Sequence, residues 1–190
     1  MVLARAFYRR PARAVARALL GCIVVSRRGR VRTSGRIVET EAYLGVDDAA
    51  SHAAFRPGSR ALFYGDGGIA YVYLNYGLHY CLNATAGPPG RAGCVLIRAL
   101  EPLDGRATMA RRRGVAADGP RLASGPGNLT RALGITLRDN GADLRRGPLT
   151  IEPPGRRRGF RVATGPRVGI TRDAARPLRF WIAGHASVSR

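Results

Sequence analysis

Lysine is missing altogether from these 190 residues, and all 32 basic side chains are arginines. That absence closes two chemistries. A Schiff base on a side-chain amine cannot form, and neither can a phosphate loop that ends in Lys-Ser or Lys-Thr. Cysteine is scarce as well: Cys22, Cys81 and Cys94 are an odd number with no CxxC pair, so neither a disulfide framework nor a ribbon-type zinc site is implied, and a reducing cytoplasm suits them. His79-Tyr80-Cys81 is the nearest approach to a ligand cluster, and a His/Cys pair on a strand is ordinarily packing. We expect no metal and no cofactor. No window approaches the roughly 18 to 20 apolar residues of a membrane span. The first 22 residues interleave arginine with short apolar runs and read as the start of a mature, soluble chain.

Acidic residues are also few, 12 in all, which leaves a formal net charge of +20. Such a balance points to a polyanionic partner, with nucleic acid first and binding that weakens as salt rises. Membrane-surface proteins and arginine-rich coding bias produce similar totals, so motifs must decide. The length suits one domain spanning 1–190 with a single sizeable core.

The apolar periods outline the elements. Ala12, Val15, Ala16, Leu19 and Leu20 recur at helical spacing after Pro11, and the apolar run Cys22–Val25 reads as a first strand. A turn at Ser26–Arg30 and a second strand from Val31 to Gly45 complete a hairpin. From Val46 to Asp66 the period vanishes, which predicts a long loop around Ser51-His52-Ala53, of the kind that often carries function. Ile69–Asn75, Leu78–Ala86 and Gly93–Pro102 read as neighbouring antiparallel strands. Further on we expect short helices around Ala107–Arg113 and from Gly127 through Ile135. Short strands are expected at Pro148–Glu152, Arg167–Thr171 and Leu178–Gly184. A basic Pro/Gly-rich turn lies at 153–159.

Glutamate occurs only at positions 39, 41, 101 and 152, and two of these share one strand. With a side-chain period of two, Ile37, Glu39, Glu41 and Tyr43 stand in a row about 6 to 7 Å apart, while Val38, Thr40, Ala42 and Leu44 face the core. An arbitrary Glu-Thr-Glu on a solvated strand face simply pairs with arginines. Here the acids are followed on the same face by an aromatic, then by a loop carrying His52, so a base, a stacking plate and a polar proton carrier come together. His52 alone would be an ordinary capped loop residue. Cleaving an N-glycosidic bond passes through an oxocarbenium-like sugar. An ionised carboxylate beneath it both deprotonates water and stabilises the developing charge, and Glu41 is the candidate.

Along Ile69–Asn83, Tyr71, Tyr73 and Asn75 alternate with small and aliphatic residues, and the hairpin connection is centred on Tyr76-Gly77. Turn tips favour Gly, Asn, Asp and Ser, so a tyrosine there makes sense as a wedge that enters a base stack. Tyr43 and Tyr73 can form two sides of a pocket for a flipped base, although tyrosines of a core strand would look the same. Asn83 is placed to read a base edge, or to satisfy backbone as strand asparagines ordinarily do.

Six blocks, Gly35–Gly45, Ser51–Ala53, Tyr71–Asn83, Val95–Gly105, Ser124–Ile135 and Arg167–Gly184, resemble in order and spacing the alkyladenine (3-methyladenine) DNA glycosylase family. The resemblance implies a single mixed α+β domain on a curved antiparallel sheet with surrounding helices and a protruding β-hairpin. It implies a monofunctional enzyme that flips alkylated purines out of duplex DNA and hydrolyses their glycosidic bond. Tyr76 would be the intercalating wedge, Glu41 the general base, and Tyr43, His52 and Tyr73 the walls around the base. Asn83 would exclude normal guanine, while Arg98 and the Val168 carbonyl would help hold the catalytic water. The partner would be double-stranded DNA with a damaged purine, met by a monomer in the cytoplasm and associated with the nucleoid. Two features depart from the family pattern: the stretch between His52 and Leu62 is short and lacks a Thr-Pro-Arg-Asn segment, and Asn128 stands where a lysine is expected. A noncatalytic basic nucleic-acid-binding module is the competing reading, and it has no need of Glu41, Tyr43 and His52 together.

Overall fold

Alternation along the apolar strands gives the sheet two covered faces. The computed structural model describes residues 1–155 and 159–189, so the basic turn expected at 153–159 lies partly outside the described residues. Among the described residues, eight strands form one curled antiparallel sheet: β1 (Ile23–Arg28), β2 (Val31–Tyr43), β3 (Ala70–Asn75), β4 (His79–Thr85), β5 (Cys94–Pro102), β6 (Leu149–Glu152), β7 (Val162–Gly165) and β8 (Arg179–Ile182). The principal order is β3-β4-β5-β2-β1-β6, and β8 joins β2 and carries β7. The long strand β2 is the axis. Its first half pairs with β1, its residues Glu39–Glu41 pair with β8, and its other edge runs along β5. The β2–β5 ladder is irregular at Ile37–Thr40, but it regains its register, with Ile37 opposite Leu100 before the irregularity and Thr40 opposite Ile97 after it.

Helices α1 (Arg5–Tyr8), α2 (Ala12–Leu19), α3 (His52–Phe55), α4 (Arg60–Tyr64), α5 (Arg106–Arg113) and α6 (Pro126–Leu133) divide between the faces. Val15 and Leu19 of α2, Met109 of α5 and Leu129 and Leu133 of α6 pack with Val72, Leu82, Val95 and Ile97 in the main core. Full burial of one such aliphatic side chain contributes roughly 1.5 to 3 kcal/mol, so this layer carries the stability. On the opposite face Ala53 of α3 and Phe63 of α4 meet Tyr71 and Cys94, with Tyr43 and Tyr73 packed beside them, in a small second cluster. The functional candidates gather there.

Two expectations are corrected. The segment between Val46 and Asp66 is not a plain loop: it holds α3 and α4, whose few apolar residues are too short a run to show a helical period. Ser51 caps α3 by accepting from the Ala53 N–H at 3.3 Å. The strand expected at Arg167–Thr171 is irregular chain, and β7 lies just upstream at Val162–Gly165. The Val168 N–H donates to the Glu41 carboxylate and so is unavailable to a ladder.

Candidate active site

Both acids of β2 are fully buried, which overturns the solvated-face reading of Glu-Thr-Glu. A buried carboxylate is costly unless it is paired and hydrogen-bonded, and the two are treated differently. Glu39 meets two guanidiniums: its Oε1 accepts from Arg98 Nε at 3.1 Å and Arg179 Nε at 2.6 Å, and its Oε2 accepts from the Ser189 N–H at 2.7 Å. Glu41 has the Val168 N–H at 2.8 Å and Arg98 Nη1 at 3.3 Å on Oε1, and the Tyr43 hydroxyl at 3.0 Å on Oε2. Burial pushes the Glu41 carboxyl above the ordinary glutamate value; Arg98, the Val168 N–H and the Tyr43 hydroxyl oppose the rise, and neighbouring Glu39 adds to it. Arg98 thus serves both acids, and Glu39 alone has a second guanidinium, that of Arg179.

In front of Glu41 lies a cleft of about 330 Å³, at the small end of the usual range for ligand pockets. Tyr43, His52, Tyr73, Asn83, Arg98 and Val168 line it, and Tyr76 stands at its rim. Glu41 does not line the cleft itself, but its carboxylate contacts Tyr43, Arg98 and Val168, which do. Tyr71 and Tyr73 stack at 5.3 Å between centroids, and the His52 ring meets Tyr73 edge-on at 4.4 Å. Burial, aided by the charge of Arg56, pushes the His52 imidazole down to about 4, so it is neutral at ordinary pH. Asn83 donates through Nδ2 to the Tyr71 carbonyl at 3.1 Å, so it satisfies backbone while lining the cleft.

The far wall depends on a second ion pair. Arg167 donates from Nη1 and Nη2 to Asp48 at 2.6 and 2.7 Å, with both side chains fully buried, and its guanidinium lies 4.6 Å from the Tyr43 ring centroid. Gly45 makes the turn into this segment. It has φ +109°, and an added Cβ would stand 2.6 Å from the Ala92 carbonyl oxygen, so no other residue fits there.

At the open edge, the β3–β4 hairpin turns through Asn75–Leu78, closed by the Leu78 N–H donating to Asn75 O at 3.0 Å. Tyr76 and Gly77 occupy the central positions with φ of +48° and +67°, the primed-turn geometry that suits a hairpin. Tyr76 is 81% exposed and held in a left-handed backbone that costs a tyrosine about 1 to 2 kcal/mol. Stability alone does not select such a residue.

A family model described as methylpurine-DNA glycosylase (MPG) matches residues 6–186. The chain belongs to the methylpurine-DNA glycosylase family. A relative from Methanoculleus marisnigri, provisionally named 3-methyladenine DNA glycosylase, is 47% identical over the full length of both chains. Relatives with the same provisional name from Koribacter versatilis and Frankia casuarinae are 47% and 48% identical, covering 98% and 96% of this chain and 92% and 90% of their own. Within this methylpurine-DNA glycosylase fold, sequence reasoning passed over Asp48, Arg167, Arg179 and Ser189. With 32 basic residues, nothing in the sequence marks which arginine reaches which acid. It also left Tyr71 undecided between core and site, and the structure places Tyr71 among the cleft-lining residues, bonded to His52.

Proposed function

We propose that this protein is a monofunctional DNA glycosylase, one domain acting as a monomer in the cytoplasm, that removes alkylated purines such as 3-methyladenine from duplex DNA. The observation that carries the reading is the buried, under-compensated Glu41 carboxylate immediately behind a cleft walled by Tyr43, His52 and Tyr73. Tyr76 enters the stack and the damaged nucleotide swings into the cleft, where aromatic faces attract a cationic alkylated base and Asn83 crowds the exocyclic amine of normal guanine. Ionised Glu41 accepts a proton from water, which Arg98 and the Val168 carbonyl help to hold. The oxygen bonds to the anomeric carbon, the glycosidic electron pair leaves with the purine, and the carboxylate beneath stabilises the positive sugar between. With no lysine, no side-chain imine is available to cut the strand after base loss. Arginines supply phosphate contacts, so binding weakens steeply with salt.

The test is release of free base from alkylated duplex by the wild type and by Glu41→Gln. Wild-type release with a silent, DNA-binding mutant supports the assignment, and equal release by both removes Glu41 from the chemistry. Salt-sensitive binding with no release by either protein would favour the noncatalytic module.

A further inference from the structure

The polar groups behind His52 form a short chain with a direction. His52 Nδ1 lies 2.8 Å from the Tyr71 hydroxyl, which also accepts from the Ser59 hydroxyl at 3.2 Å. Burial raises the Tyr71 phenol above its ordinary value, with Ser59 and the Arg56 guanidinium acting against the rise, so the phenol keeps its proton. With Ser59 donating to the Tyr71 oxygen, the phenol's own proton is left for His52 Nδ1. The imidazole is then an acceptor at Nδ1 and carries its proton on Nε2, and Nε2 makes no hydrogen bond to a described residue although the ring lines the cleft.

We propose that Ser59 and Tyr71 are positioning residues that fix His52 as the Nε2–H tautomer, so that the cleft presents a permanent donor to an acceptor atom of a neutral damaged purine. The assignment rests on the glycosylase reading for its ligand, but the tautomer itself does not depend on that reading. A cationic alkylated purine leaves readily without such help. A neutral base with a ring nitrogen or carbonyl acceptor gains from the donor, so the relay would set how far the enzyme reaches beyond cationic lesions. Ser59 lies in the short segment after His52 that departs from the family pattern.

Long-range proton–nitrogen correlation spectra of the labelled full chain test it directly, with the His52 signals identified as those lost in His52→Gln. The expected result is Nε2–H in the wild type, a mixture of tautomers in Tyr71→Phe and a smaller admixture in Ser59→Ala. Nδ1–H in the wild type, or an unchanged spectrum in Tyr71→Phe, would overturn the relay. In a parallel assay, Tyr71→Phe should lower kcat/KM for hypoxanthine about tenfold more than for 7-methylguanine, the loss of one hydrogen bond. Equal losses on both bases would mean that Tyr71 only supports the wall, and that also overturns the proposal. A wild type that releases 7-methylguanine but no hypoxanthine refutes the donor's use while sparing the glycosylase reading. A wild type that releases neither refutes that reading, and the spectrum still decides the tautomer.

Discussion

Two buried carboxylates sit within a few residues of each other, and the protein treats them in opposite ways. Asp48 accepts from both terminal nitrogens of Arg167 and from the N–H groups of Leu44 and Ala50. Burial works to raise its pKa, yet Arg167 and these amides prevail and hold it below the ordinary aspartate value. Glu41 is buried as completely, but it shares Arg98 with Glu39, and its pKa is shifted upward. A fully satisfied acid is a structural clamp, here bracing Tyr43 through Arg167. An acid left short of compensation retains appetite for a proton, which is what a general base requires.

The contrast breaks most sharply under Glu41→Gln. Base release in single turnover should fall by about three orders of magnitude, within the range for loss of a general base. Thermal stability should be unchanged or higher, because a carboxylate whose folded pKa is raised is a burden to the fold at neutral pH. Asp48→Asn should invert this pattern. It leaves Arg167 buried without a counter-charge and should cost about 3 kcal/mol in urea unfolding, while the surviving folded fraction keeps base release within several-fold of the wild type.

Acidification separates the two acids in a single experiment. Glu41 must be ionised to act, so activity should decline as pH falls through a value above the ordinary glutamate figure of about 4.3. Its own contribution to stability runs the other way: it is present at low pH and lost as pH rises through the raised pKa. Asp48 stabilises the fold above the unfolded aspartate value of about 3.9, and that contribution is lost only as pH falls through its lowered folded pKa. Activity should therefore fade while circular dichroism still reports a folded chain, and simultaneous loss would contradict the distinction. His52, pushed down to about 4, should add no step near neutral pH.

The smallest effect concerns a third kind of site, one where the cost lies in backbone conformation. Tyr76→Asn should stabilise the hairpin by up to about 1 kcal/mol, since asparagine tolerates the left-handed region, and should weaken capture of damaged duplex. Binding and melting measured on the same variant should move in opposite directions.

Much of this was legible along the chain. The Ile69–Asn83 alternation placed a hairpin with an exposed tyrosine at its tip, because strand periodicity and turn chemistry are local. The row Glu39, Glu41, Tyr43 followed from the pleat alone. The burial of that row was not legible, since it depends on α3, α4 and the chain around Arg167 and Ser189 arriving from distant positions. Nor did the uniform excess of arginine show which guanidinium meets which acid.

Residue order by itself set the strand alternation, the positive charge, the scarcity of glutamates and the exclusion of lysine chemistry, because each is a matter of side-chain identity or of a period of a few residues. Only the tertiary structure decided that Glu39 would meet two guanidiniums and that Glu41 would have only a share in one. Carboxylate basicity depends on solvent exclusion and on donors within about 3 Å, and apart from the Tyr43 hydroxyl those donors come from segments more than fifty residues away.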